Sequence, residues 1–141
     1  HNTDILTDLP LAAMYAAHMK NGVLATVAVM ERETSRYLLF DEAGLLGRTN
    51  ERTGVELRAR EPVGAVRKLA FAGVHVVSPR LLDRISEHGA FPIWDPYLRL
   101  VAAGERVLPY RADDSHWFDV GSPAQLERAS EWEVSRGKGE G

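Results

Sequence analysis

Two long apolar runs constrain this chain more than any other feature. Val23-Leu24-Ala25-Thr26-Val27-Ala28-Val29-Met30 and Leu69-Ala70-Phe71-Ala72-Gly73-Val74-His75-Val76-Val77 show almost no polar alternation. A strand with one face in water alternates polar and apolar residues, so an unbroken run reads as a strand covered on both faces. Both runs are therefore expected side by side at the centre of a mixed sheet with helices on its two faces. Around them, helical and strand periods alternate. Leu11, Met14, Tyr15, His18 and Met19 recur at helical spacing, with Asp8 as N-cap, Pro10 in the first turn and Asn21-Gly22 as the stop. Tyr37 to Phe40 and Leu45 to Arg48 read as a hairpin turning at Asp41-Glu42-Ala43-Gly44, with a further exposed strand over Val55 to Arg60. These segments are expected to form a small β appendage, with the charged stretch from Arg48 to Arg67 outside the core.

The second buried run ends at Ser78-Pro79, and a helix follows through about Ile85. Tyr97, Leu98, Val101 and Ala102 outline another helix ending at Gly104. Val107 to Tyr110 and Trp117 to Val120 read as strands, and Ser122-Pro123 opens a last helix whose inner stripe is Leu126, Ala129 and Trp132. Residues 136–141 form a solvated tail. Glycine weakens a strand interior, so Gly73 calls for a reason, of which close approach of a backbone or ligand is the commonest. His75 alternates with apolar neighbours and reads as a strand histidine, not a ligand.

Composition narrows the functional classes. A chain of 141 residues that is 45% hydrophobic can bury one substantial core. Seventeen basic against twenty acidic side chains leave a net charge of −3, which offers no electrostatic footprint for a nucleic acid or an anionic membrane. The absence of cysteine removes disulfide scaffolds and thiolate metal sites and fits a reducing compartment. No apolar run approaches a membrane span, and the first residues lack the order of a signal peptide. The expected location is cytoplasmic.

Chemistry concentrates at the two ends of the chain. His116-Trp117-Phe118-Asp119-Val120-Gly121-Ser122-Pro123 sets an acid on a short aromatic strand just before a helix start, and Asn2-Thr3-Asp4 sets another acid ahead of the first helix. Together the two carboxylates suggest one divalent-cation site.

These segments resemble the sugar-1-phosphate nucleotidyltransferases. The family carries an aspartate at the end of a central strand, matched by Asp4, and a second in a Trp-x-Asp-x-Gly-[Thr/Ser]-Pro turn, matched by Trp117 to Pro123. Between them lies a strand whose glycine backbone faces the sugar, matched by Phe71 to Pro79. The segments Ser35 to Asp41 and Gly47 to Asn50 look like the bacterial branch near mannose-1-phosphate guanylyltransferases and N-acetylmuramate-1-phosphate uridylyltransferases. The resemblance implies a Rossmann-like, partly doubly wound α/β fold and transfer of a nucleoside monophosphate from a nucleoside triphosphate to a sugar 1-phosphate. It also implies Mg2+ on Asp4 and Asp119, which serve as metal-holding catalytic acids, and substrate contacts from Gly73, Ala72, Asn50 and Trp117.

Two departures accompany the match. Asn50-Glu51-Arg52 stands where many members have Glu-Lys-Pro, and the family's glycine-rich phosphate loop has no counterpart here. Residues 1–135 are accordingly expected to be the C-terminal, sugar- and metal-binding part of the domain, without its nucleotide-binding half. Such a part should be inactive alone and should self-associate through its cut sheet edge. The alternative is a non-catalytic module of the same fold that binds a sugar phosphate or a partner.

Overall fold

The computed structural model describes residues 5–115 and 117–119, with side chains from Asp8 to Ser115. In chain order the elements are β1 (Ile5–Thr7), α1 (Leu11–Asn21), β2 (Ala25–Met30), β3 (Arg36–Asp41), β4 (Gly44–Asn50), β5 (Val55–Arg58), β6 (Arg67–Val77), α2 (Arg80–Arg84), α3 (Trp94–Ala102), β7 (Val107–Arg111) and β8 (Trp117–Asp119). Six strands form one sheet in the order β5-β4-β3-β6-β2-β7, while β1 and β8 pair separately. Only β2 and β7 run parallel; the other ladders are antiparallel.

The two apolar runs are β2 and β6, adjacent and interior as their composition requires. Along β2, Ala25, Val27 and Val29 face a cluster that includes Leu81 of α2 and Tyr97, Leu100 and Val101 of α3. Ala28 faces the opposite way, toward Met14 of α1, Ala72 and Val74. Both faces of the strand are therefore dry. The last helix expected, from Ser122, lies outside the described residues.

Several local expectations are corrected. The first helix is capped at Pro10 without a side-chain hydrogen bond, so Asp8 is not its N-cap. Gly22 ends it in the left-handed conformation, φ +61°, with its N–H donating to the His18 carbonyl. Of the anticipated inner stripe, only Met14 and His18 are buried; Leu11, Tyr15 and Met19 are more than half exposed. The third helix begins at Trp94, earlier than Tyr97, and takes Pro96 into its first turn, where a missing N–H costs no helical bond. The strand Ile5–Thr7 occupies what reads in sequence as a mere approach to α1.

The hairpin region is part of the sheet and not a separate appendage. β3 pairs with β6, and Leu38, Phe40 and Leu45 belong to the main core. Only β5 projects fully, with all four residues exposed. The hairpin tip turns back onto β7: Arg106 donates to the Ala43 carbonyl, and a Cβ on Gly44 would stand 2.5 Å from the Val107 carbonyl oxygen. With φ at +111° as well, Gly44 is a position that only glycine fills without strain. Beside it the Asp41 carboxylate, wholly buried, accepts two 2.7 Å bonds from Arg60 and others from the Val63 and Ala43 amides. Those bonds, led by Arg60, hold its carboxyl well below the usual carboxylate range. No helix among the described residues is long and apolar enough to cross a membrane.

Candidate functional site

The parallel pair β2 and β7 ends at one edge of the sheet, and open α/β sheets bind ligands at the carboxyl ends of such strands. Three pieces of chain gather there. The turn after β7 is tied to the end of β2: the Ala112 amide donates to the Val29 carbonyl, and the Glu31 amide donates to the Asp113 carboxylate, each at 2.7 Å. Arg32, next along, donates to the Phe71 carbonyl of β6 at 3.3 Å.

At this edge β6 is irregular. Val27 pairs with His75 but Val29 pairs with Phe71, so four steps along β6 match two along β2. The surplus forms a bulge around Gly73, which sits at φ +87°. Glycine is there because the bulge needs a left-handed backbone that a β-branched neighbour could not adopt. Ala72 is buried in the cluster under α1, so any contact it made to a ligand would come from its backbone.

The other side of the bulge carries an aromatic wall. Phe71, His75, Trp94 and Tyr97 stand with ring centroids 4.5 to 5.7 Å apart. Tyr97 is buried, and its hydroxyl donates to His75 Nδ1 at 3.0 Å. Burial raises the Tyr97 pKa, which keeps the hydroxyl a donor, and pushes His75 down to about 4. His75 is thus a neutral, satisfied strand histidine, as its alternating pattern suggests.

The β1·β8 ladder holds the part of the terminal motifs that the structure describes, Trp117 to Asp119. Ile5 lies opposite Asp119, Leu6 opposite Phe118 and Thr7 opposite Trp117. Asp4 lies outside the described residues, but it immediately precedes Ile5 in sequence. Leu9, just after β1, and Ala112, shortly before β8, pack in the same cluster as Ala72 and Val74, which ties the ladder to the bulge.

Asn50 sits elsewhere. It ends β4, two strand spacings or about 10 Å from β6 across β3. Its side-chain oxygen accepts from the Arg52 amide at 3.0 Å and shapes the turn into β5. Among the cations near it, Arg48 pairs with Asp95 at 3.4 Å. Arg32, which sequence reading passes over, is the cation nearest the bulge in the hydrogen-bond pattern. Its only signal in sequence is its place directly after a buried strand. Among the described residues no group of three or more His, Cys, Asp or Glu lies together as a metal site.

No family model matches the chain. Among curated proteins it is 27% identical over 129 residues to a mannose-1-phosphate guanyltransferase of Yarrowia lipolytica. It is 30% identical over 132 residues to a probable mannose-1-phosphate guanylyltransferase 3 of Oryza sativa subsp. japonica. Each match covers 86% of this chain and 32% of the relative, so the chain spans about a third of the length of the curated relatives it matches. Among solved structures, a putative glucose-1-phosphate thymidylyltransferase from Bacillus anthracis, crystallised with sucrose, superposes with a TM-score of 0.67 at 13% identity. That likeness covers 92% of this chain and 51% of the other and shows a shared fold. By sequence the chain is similar to mannose-1-phosphate guanylyltransferases over about a third of their length, and it shares its fold with a putative glucose-1-phosphate thymidylyltransferase.

Proposed function

We propose that residues 1–135 form the sugar- and metal-binding part of an enzyme that transfers a nucleoside monophosphate from a nucleoside triphosphate to a sugar 1-phosphate. The observation that carries this reading is the register of Ile5 with Asp119, which draws the Trp-Phe-Asp strand alongside the segment that follows Asn2-Thr3-Asp4. The relatives by sequence bear the names of such transferases. In the reaction, a phosphate oxygen of the sugar 1-phosphate attacks the α-phosphorus in line. A new P–O bond forms, the bond from the α-phosphorus to the bridging oxygen breaks, and pyrophosphate leaves with that electron pair.

Asp4 and Asp119 are hard oxygen donors, the type Mg2+ prefers, and Mg2+ needs only one or two protein carboxylates. When bound, Mg2+ neutralises and orients the phosphates. The chain's own residues do the rest. The two acids would hold the cation, the backbone at Ala72 and Gly73 reads the sugar hydroxyls in this proposal, and Trp117 adds a further substrate contact. No general base is required, because a phosphate monoester is already anionic near neutral pH. A cysteine-free sequence fits action in the cytoplasm.

The test uses the complete protein. Asp119→Asn keeps the shape of the side chain and removes its charge, so pyrophosphate release should fall by about 100-fold or more with an unchanged unfolding midpoint. Asp4→Asn should behave alike. Wild-type turnover by both variants at limiting Mg2+ would remove the metal assignment. Binding of sugar 1-phosphate with no pyrophosphate release from any triphosphate would support the non-catalytic module instead.

A further inference from the structure

β5 is an open edge of the main sheet, and its pattern is self-complementary. The Ala59 amide donates to the Leu46 carbonyl at 2.8 Å, and the ladder continues in the same register through Leu57 opposite Arg48 and Val55 opposite Asn50. Hydrogen-bonded pairs alternate along an antiparallel ladder, so Val55, Leu57 and Ala59 turn their backbone groups toward β4. Glu56 and Arg58 turn theirs outward, where no other strand lies among the described residues. The side chains alternate as well. Val55 and Leu57, 48% and 47% exposed, share one face. Glu56 and Arg58 share the other and form an ion pair at 2.8 Å.

We propose that this edge pairs with β5 of a second copy of the chain, antiparallel about a two-fold axis through Leu57. In that register Glu56 of each copy lies opposite Arg58 of the other. These are the residues whose N–H and C=O groups point outward, so the exposed backbone groups and the charges are satisfied in the same pairs. The two Leu57 side chains meet at the non-hydrogen-bonded position, where side chains approach most closely. Sliding by one pair in either direction sets Glu56 against Glu56 or Arg58 against Arg58, both repulsive. Charge on an edge strand ordinarily guards against pairing. Here it admits a single register. The contact is isologous, as a closed dimer requires. It also lies in the middle of the chain, well away from either terminus.

A pairing of so few residues buries less than the roughly 1,200 Å² of a stable interface, so the dimer should be weak, with Kd of about 10 μM to 1 mM. Sedimentation equilibrium of the 141-residue chain should show a monomer–dimer equilibrium in that range. Glu56→Arg and Arg58→Glu each place like charges opposite one another and should each give a monomer. Mixed in equal amounts, the two variants should recover dimer, because every cross-strand pair then joins opposite charges. The double swap Glu56→Arg/Arg58→Glu should also recover it. Both sites are surface positions, so melting curves should match that of the unchanged chain. A monomer at about 1 mM, single variants as dimeric as the parent, or a mixture that stays monomeric would each overturn the proposal.

Discussion

The two faces of the main sheet are closed by different means. On the face covered by α2 and α3, bulk does the work: Leu24, Leu81, Tyr97, Leu100 and Val107 are each almost wholly buried, with Phe71 and Trp94 packed against them. On the α1 face the contacts are small. Ala28, Ala72 and Ala112 meet Met14, the one apolar side chain that α1 buries there. What bulk does not supply on this side, a directed chain of hydrogen bonds does. Ser78 donates to the Val23 carbonyl at 2.7 Å, so its oxygen accepts from His18 Nε2; His18 Nδ1 in turn accepts from Thr26, each at 2.9 Å. The chain assigns His18 its neutral form with the proton on Nε2. A thin apolar face thus gains a fixed helix position from polar groups, provided all of them are paired.

Truncation should expose the contrast most strongly on the bulky face. Tyr97→Ala removes a fully buried ring and should destabilise the chain by about 3–5 kcal/mol in urea unfolding. Tyr97→Phe, which loses only the bond to His75, should cost about 1 kcal/mol. A loss from Tyr97→Phe as large as that from Tyr97→Ala would mean that polar bonding governs this face too.

On the thin face the pattern should invert, with the hydrogen bonds mattering more than the volume. His18→Leu fills much of the same space but leaves the buried Thr26 hydroxyl without its partner, at a cost of about 1–3 kcal/mol. If stability were unchanged or higher, the chain of bonds would not be what holds α1.

Acid should act on both faces through their histidines. Desolvation lowers the folded-state pKa of His18, aided by the nearby Arg80 charge, and lowers that of His75 to about 4. Below about pH 6.5 the unfolded chain therefore takes up protons that the folded chain refuses, so the stability these groups carry is present above that pH. It is lost as pH falls toward each folded-state pKa, by at most about 1.4 kcal/mol per pH unit for each histidine. His18→Leu and His75→Phe should each flatten the slope of unfolding free energy between pH 6.5 and 4 relative to the parent. A slope that neither variant changes would show that both rings are protonated in the folded state.

The sequence by itself determined the centre of the sheet. Unbroken apolar runs at β2 and β6, rich in β-branched residues and bounded by turn signals, read as covered strands, and the glycine and proline punctuation placed the turns. It also named Asp4, Asp119 and Gly73 as candidates through their resemblance to a family's motifs. Tertiary structure decided the matters of phase and register. Helical spacing shows that Leu11, Met14, Tyr15, His18 and Met19 lie near one another on α1, but only Thr26 and Ser78 select His18 as the buried member. A glycine inside a strand pattern signals a bulge or a close approach, but which of the two Gly73 serves depends on where β2 pairs on either side of it. The burial of Asp41 depends on Arg60 reaching back across the meander. The candidate site follows the same rule, since Ile5 meets Asp119 through a ladder between opposite ends of the chain. Local pattern states which side chains avoid water, whereas the partner that satisfies each polar group comes from residues distant in sequence, and only the folded chain brings them together.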